Sequence, residues 1–181
     1  MSSQPITTEL HAAVDVKKSP ARGLKKLNGA IGPIAEWYVR LALGAAFLSA
    51  VADRFGLWGA PGKPNVDWGD FAHFTRYVGM VNSFMPARTI PVLAWLATIA
   101  ETTFGISLIL GIYKRAMALG SAILLLLFAT AMAISFGMKS PLDYSVFSAS
   151  AAAFLLFAMQ QEKAASAGKK LKDLHGVCRE H

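Results

Sequence analysis

Glu101 stands near the middle of an apolar stretch, Ile90 to Ile112, in which no other residue carries a charge. At about 1.5 Å rise per residue, its carboxyl sits some 16 Å from either end of such a helix, near the midplane of a bilayer. A carboxylate at that depth costs about 2.5 kcal/mol or more to insert, so it needs a partner, a proton or a task. The preceding apolar block supplies candidates. Glu36 and Arg40 are one helical turn apart and share a face, and Arg54 returns to within about 40° of that face at 100° per residue. Arg40 lies about 9 Å into its block and Glu101 about 16 Å from the matching end of its own. The difference of about 7 Å is within reach of an extended arginine, so the spacing predicts an Arg40–Glu101 ion pair, with Glu36 competing for Arg40. Such a group could polarise or protonate a ligand as the polar floor of an intramembrane pocket. Equally, the charges could neutralise one another and lock helix register.

A second set of polar residues lies between the first two apolar blocks. Phe71, Phe74, Val78 and Val81 recur at helical spacing, the stripe of a short amphipathic helix at the interface. Asp67 or Asp70 is placed to cap its start. Trp68, His73 and Arg76 could line the mouth of a site. Asp143, in SPLDYS at the entrance of the last apolar block, is either a helix cap or a further carboxylate at that mouth.

The elements that must hold these residues are membrane helices. Of the 181 residues 54% are hydrophobic and 16% charged, against about 25% charged in an ordinary soluble domain. The apolar residues fall in four blocks: Ile34–Phe55, Ile90–Ile112, Ala116–Phe136 and Leu142–Met159. The expected fold is all-α, a polytopic four-helix membrane bundle with a short external amphipathic helix between the first two spans. It divides into a basic N-terminal arm over 1–33, a transmembrane domain over 34–159 and a basic tail over 160–181. The arm is expected to be loosely ordered, with a short amphipathic segment around Leu24 to Ile31. Trp37, Tyr38, Trp58, Tyr113 and Tyr144 stand at span ends as an interfacial belt. Small residues on the first, second and fourth spans (Gly44, Ala45, Ser49; Gly105; Ser145, Ser148, Ala149, Ala152, Ala153) predict close helix packing.

The net charge of +7 is a topology signal. Twelve Lys and Arg lie before the first span, in the Lys114–Arg115 connection or after the fourth span, against five on the opposite side. The positive-inside rule then places both termini in the cytoplasm. This arrangement disfavours nucleic acid as a partner and favours the lipid bilayer.

Several chemistries are excluded for this chain alone. Its one cysteine, Cys178, lies in the tail, so no intramolecular disulfide or CxxC relay exists. His11, His73, His175 and His181 all fall outside the spans, which leaves no axial pair for an intramembrane haem. There is no Rossmann fingerprint or phosphate loop, since GAPG at Gly59 to Gly62 lacks their spacing, and there is no metal-ligand cluster.

With these residues placed, residues 34–159 resemble the DoxX family of small bacterial membrane proteins. The resemblance rests on WYVRLALGAAFLSAVADRFG, with its arginine four before a glycine, and on LATIAETTFGISLILGIYKR, with its acid four before a glycine and a Gly–basic exit. SPLDYSVFSASAAAFLL adds a subgroup-like segment. Arg40 and Glu101 match that family's arginine and acid, and Gly105, Gly111 and Arg115 its second-helix exit. The resemblance implies a multi-pass protein of the bacterial inner membrane, acting as a subunit or anchor of an oxidoreductase system. With no redox centre of its own, it would rely on a bound quinone or a partner's cofactor. A small proton-coupled transporter and a structural scaffold are the alternatives; under any of these readings the chain could form a homo-oligomer, and the sequence leaves open whether it is an enzyme.

Overall fold

The computed structural model describes residues 19–177; residues 1–18 and 178–181, which include His11, Cys178 and His181, lie outside it. The described residues are helical, without strands: α1 (Ser19–Arg54), α2 (Phe71–Val81), α3 (Ile90–Leu110), α4 (Lys114–Phe136), α5 (Lys139–Asp143) and α6 (Val146–Val177), with a 3-10 turn at Ala87–Thr89 before α3. The chain divides into two units, residues 1–38 and 39–181. In the first, the helix begins at Ser19 and contains Pro33. The expected loose arm over 1–33 is therefore helical from Ser19 onward. In the tail, likewise, α6 continues past Met159 to Val177.

Among the described residues, three helical stretches are long and apolar enough to cross a membrane: Ile31–Arg54, Ala87–Leu110 and Lys114–Phe136. The fourth expected span has a different construction. The short helix α5 ends at Asp143, Ser145 takes a left-handed backbone (φ 55°), and only then does α6 begin. Its apolar part, Val146 to Met159, extends about 21 Å, short of a hydrocarbon core of about 30 Å. Gln160, Gln161, Glu162 and Lys163 follow at once. Ser150 donates to the Ala122 carbonyl at 2.9 Å, and the Arg115 guanidinium lies 5.8 Å from the centre of the Phe157 ring. These two contacts run α6 antiparallel to α4 and set its apolar part against the first half of that helix.

Close packing follows the small residues, with a shift of register. Among the described residues of α6, Ser150, Ala153 and Leu156 are buried, rather than the Ser145–Ser148 edge. Ala153 and Leu156 join Ala118 and Ala122 of α4, Leu43 and Phe47 of α1 and Leu108 of α3 in one core. Between α1 and α3 the contact is backbone to backbone. A Cβ on Gly44 would lie 2.9 Å from the Gly105 carbonyl oxygen, and a Cβ on Gly105 would lie 3.2 Å from that of Gly44. Only glycine allows this approach. Ala45 and Ser49 face outward.

The amphipathic helix α2 forms where the stripe predicts. Asp70 caps it, its side chain accepting from the His73 backbone N–H at 2.7 Å. Phe74, Val78 and Val81 are buried, and the first two pack with Ile90 and Ala94 of α3. Ser135 near the end of α4 donates to the Val81 carbonyl at 2.6 Å, which ties α2 to the bundle at both ends. The belt residues Trp37, Tyr38, Trp58, Tyr113 and Tyr144 are all exposed, as rings at an interface are.

Candidate functional site

Glu101 is 2% exposed, and its partner is Arg54, not Arg40. Nη2 of Arg54 lies 2.8 Å from Oε1 and 2.6 Å from Oε2 of Glu101, while Nη1 donates to the Thr98 hydroxyl at 2.9 Å. Thr98 in turn donates to the Ala94 carbonyl at 2.8 Å. The guanidinium lies against aromatic faces, with Cζ 3.7 Å from the centre of the Phe74 ring and 5.4 Å from that of Trp68. Two ions at this depth hold because each neutralises the other and because rings of α2 and its preceding loop exclude water.

The Arg40–Glu101 pair expected from spacing does not form. Arg40 donates through Nε to the Leu108 carbonyl at 2.8 Å and through Nη2 to the Ile109 carbonyl at 3.1 Å. Side-chain direction explains the exchange. In a helix each Cα–Cβ bond tilts toward the N-terminus. Arg40 therefore reaches back along α1, away from the middle of the span and toward the end of the antiparallel α3, where the last carbonyls lack intrahelical donors. Arg54 tilts the same way from the opposite end, which carries it inward to Glu101. The helix stripe already marked Arg54 as sharing Arg40's face; the direction of the side chains was the missing term. Glu36 is buried one turn before Arg40, in the 1–38 unit.

Asp53 joins the site without having been singled out in the sequence. It is 5% exposed, and its Oδ2 accepts the backbone N–H groups of Asp67 at 3.1 Å and Trp68 at 2.8 Å. The carboxylate thus folds the end of the loop back over the end of α1 and positions the Trp68 ring against Arg54. Asp53 and Trp68 also line a cavity of about 450 Å³, with Trp58, Asn65, Asp67, Ala46, Ser49 and Ala50. The signal was two adjacent charges, Asp53 and Arg54, at the end of an apolar helix; two bonds to a distant loop have no sequence signature.

Of the four expected mouth residues, Trp68 alone reaches this site. His73 is exposed and bonded to Asp70, Nδ1 lying 2.9 Å from both carboxyl oxygens. Those bonds, the backbone N–H of His73 first, hold the Asp70 carboxyl below its ordinary value. Arg76 is exposed on α2, and Asp143 pairs with Lys139 at the surface of α5. Arg40 and Glu101 do not line the cavity. Among the described residues no group of three or more His, Cys, Asp or Glu could hold a metal ion.

The comparisons bear on the family. No curated protein and no solved structure matches the chain. A family model, that of methylamine utilisation protein MauE, matches residues 32–145, from the first span through α5 and including the Arg54–Glu101 pair and the cavity. The match overturns the DoxX resemblance. That resemblance leaned on apolar segments, where composition alone produces likeness, and on an arginine and an acid that turn out not to be paired. The chain is a multi-pass helical membrane protein and belongs to the MauE family.

Proposed function

We propose that the protein is a membrane component of an amine-oxidising system: a subunit or anchor that carries no redox centre and holds its partner against the membrane. The observation that carries this reading is the family match, which names a methylamine utilisation protein and spans all three apolar helices and the connecting loop. The distribution of chemistry supports it. The apolar helices contain neither Cys nor His, so electrons in such a system travel on a partner's cofactor or on a membrane quinone rather than through this chain. One polar cluster lies beneath the α1–α2 loop, where Asp53, Arg54 and Trp68 converge above Glu101. The positive-inside rule assigns that loop to the non-cytoplasmic side of a bacterial inner membrane, with the N-terminus in the cytoplasm. The working face is therefore the α1–α2 loop with the pocket beneath it.

Deletion in the native host, with growth scored on methylamine as sole nitrogen source, tests this reading. Loss of amine-dependent growth, restored by the intact gene, is expected, as is co-purification of an oxidoreductase with the tagged protein from mildly solubilised membranes. Normal growth on the amine together with no co-purifying redox protein would sink the assignment.

A further inference from the structure

One oxygen of the polar cluster is unaccounted for. Asp53 Oδ2 holds the loop, but Oδ1, although buried, has no hydrogen-bond partner. A buried carboxylate oxygen without a donor is costly, and this one belongs to a residue that lines the 450 Å³ cavity. The cavity has the proportions of a small-molecule site, with apolar walls and a few convergent polar groups. Its lining carries two carboxylates and no basic side chain. Asp53 and Asp67 both line it, whereas the neighbouring Arg54 guanidinium is already neutralised by Glu101. Two indole rings, Trp58 and Trp68, form part of the wall. Trp58 is held in place by its Nε1 bond to the Ser49 carbonyl, 3.1 Å.

A ligand matched to this lining donates a hydrogen bond, carries positive charge and tolerates aromatic faces. A divalent metal ion fits poorly, since it wants six or more oxygens and the described residues hold no cluster of metal-ligating side chains. A guest with its own N–H donors and a diffuse charge needs only an acceptor and π-faces. We propose that this cavity binds an ammonium group, primary or N-methylated, with the Asp53 carboxylate turning Oδ1 toward the cavity to accept its hydrogen bond and Trp58 and Trp68 walling the cation. The group can arrive on a free small amine or on an ethanolamine lipid. Both routes are open because Ala46 and Ser49 on the rim are exposed on the face of an apolar helix. This inference stands on the cavity and holds whichever system the protein serves.

Calorimetric titration of the intact protein in nanodiscs tests it. In discs of phosphatidylglycerol alone, which contain no amine, methylammonium chloride should give saturable heat, while sodium chloride and methanol at equal concentration should not. Repeating the titration in discs containing phosphatidylethanolamine separates the sources. Heat abolished by that lipid identifies the headgroup as occupant, and heat that persists identifies the free amine. Asp53→Asn keeps an oxygen for the two loop N–H groups but puts an amide donor where Oδ1 stands, so affinity should fall at least about ten-fold. Asp67→Asn leaves every backbone bond in place and should weaken binding about three-fold. It carries the test if Asp53→Asn loses helicity by circular dichroism. The proposal fails if methylammonium gives no saturable heat and no ethanolamine lipid is retained in native mass spectra. It also fails if methanol binds as well as methylammonium, or if folded variants bind as the parent does.

Discussion

Arg40 and Arg54 lie on one helix, on nearly one face, and both are buried, yet they engage α3 in different ways. Arg40 donates to carbonyl oxygens at the end of α3, a helix terminus that presents partial negative charge and was short of donors. Arg54 meets a full carboxylate in the middle of that same helix, under aromatic cover. The first arrangement uses groups that every helix end supplies. The second exists only because Glu101 does, so neither partner can be removed without stranding the other. Position along the chain separates the two. An arginine entering the span tilts back toward the end of its neighbour, and one leaving it tilts in toward the middle.

The sharpest way to break this contrast is to strand an ion at the Arg54 end. Arg54→Met and Glu101→Leu, made singly, should each lower stability by about 3–5 kcal/mol, because each leaves one uncompensated buried charge. The double replacement should recover most of that loss. Unfolding in mixed micelles, followed by far-ultraviolet circular dichroism, reads all three proteins. Single and double variants that lose equally would mean that the pair is no closed unit. The Arg40 end should respond more mildly when its own geometry is disturbed. Gly111 caps α3 at φ 76°, and a Cβ there would lie 2.5 Å from Arg40 Nη2. Between the two ends, Gly105→Leu should cost about 1–3 kcal/mol by overpacking, since the Leu48 side chain and the Gly44 carbonyl lie within 3.2 Å of the new Cβ. Gly111→Ala should cost about 1–2 kcal/mol from the left-handed backbone and the displaced guanidinium. The same unfolding assay ranks them; a Gly111→Ala loss as large as that of Arg54→Met would erase the distinction between the two ends.

How much of this was legible beforehand follows the same physics. Apolar blocks, the Phe74–Val78–Val81 stripe, the Asp70 cap and the close approach at Gly44 and Gly105 are local or compositional, and each could be read from spacing. Glu101 as the residue needing a partner was legible too, because cost depends on depth alone. Its partner was not, since choosing between Arg40 and Arg54 requires the antiparallel register of α1 and α3 and the tilt of each side chain, which differ in sign at the two ends. Asp53 was hidden for a related reason: its role is two bonds to backbone N–H groups fourteen and fifteen residues away, and a backbone donor has no residue type. The fourth apolar block was legible as a helix of the bundle, but its bounds were not: the left-handed Ser145 divides it and the polar run from Gln160 ends its apolar part early.

The smallest expected effect lies outside the membrane and isolates what burial adds. Asp70 and His73 are paired much as Arg54 and Glu101 are, through a carboxylate accepting N–H bonds, but both are nearly half exposed. The Asp70 carboxyl is held below its ordinary value of 3.8, chiefly by the His73 backbone N–H and then by the His73 ring. A carboxyl whose folded value is depressed stabilises the fold fully above its unfolded value and loses that contribution as pH falls through the folded one. The cap of α2 should therefore be intact at pH 5 and released only below 3.8. The His73 amide resonance should move toward its uncapped position over that interval while the rest of the bundle stays folded. Asp70→Asn, which can still accept the backbone bond, should flatten the acid transition and leave neutral-pH stability nearly unchanged. An exposed pair is screened by water and adds little. If Asp70→Asn instead destabilised the protein as much as Arg54→Met, burial would not be what separates the two pairs.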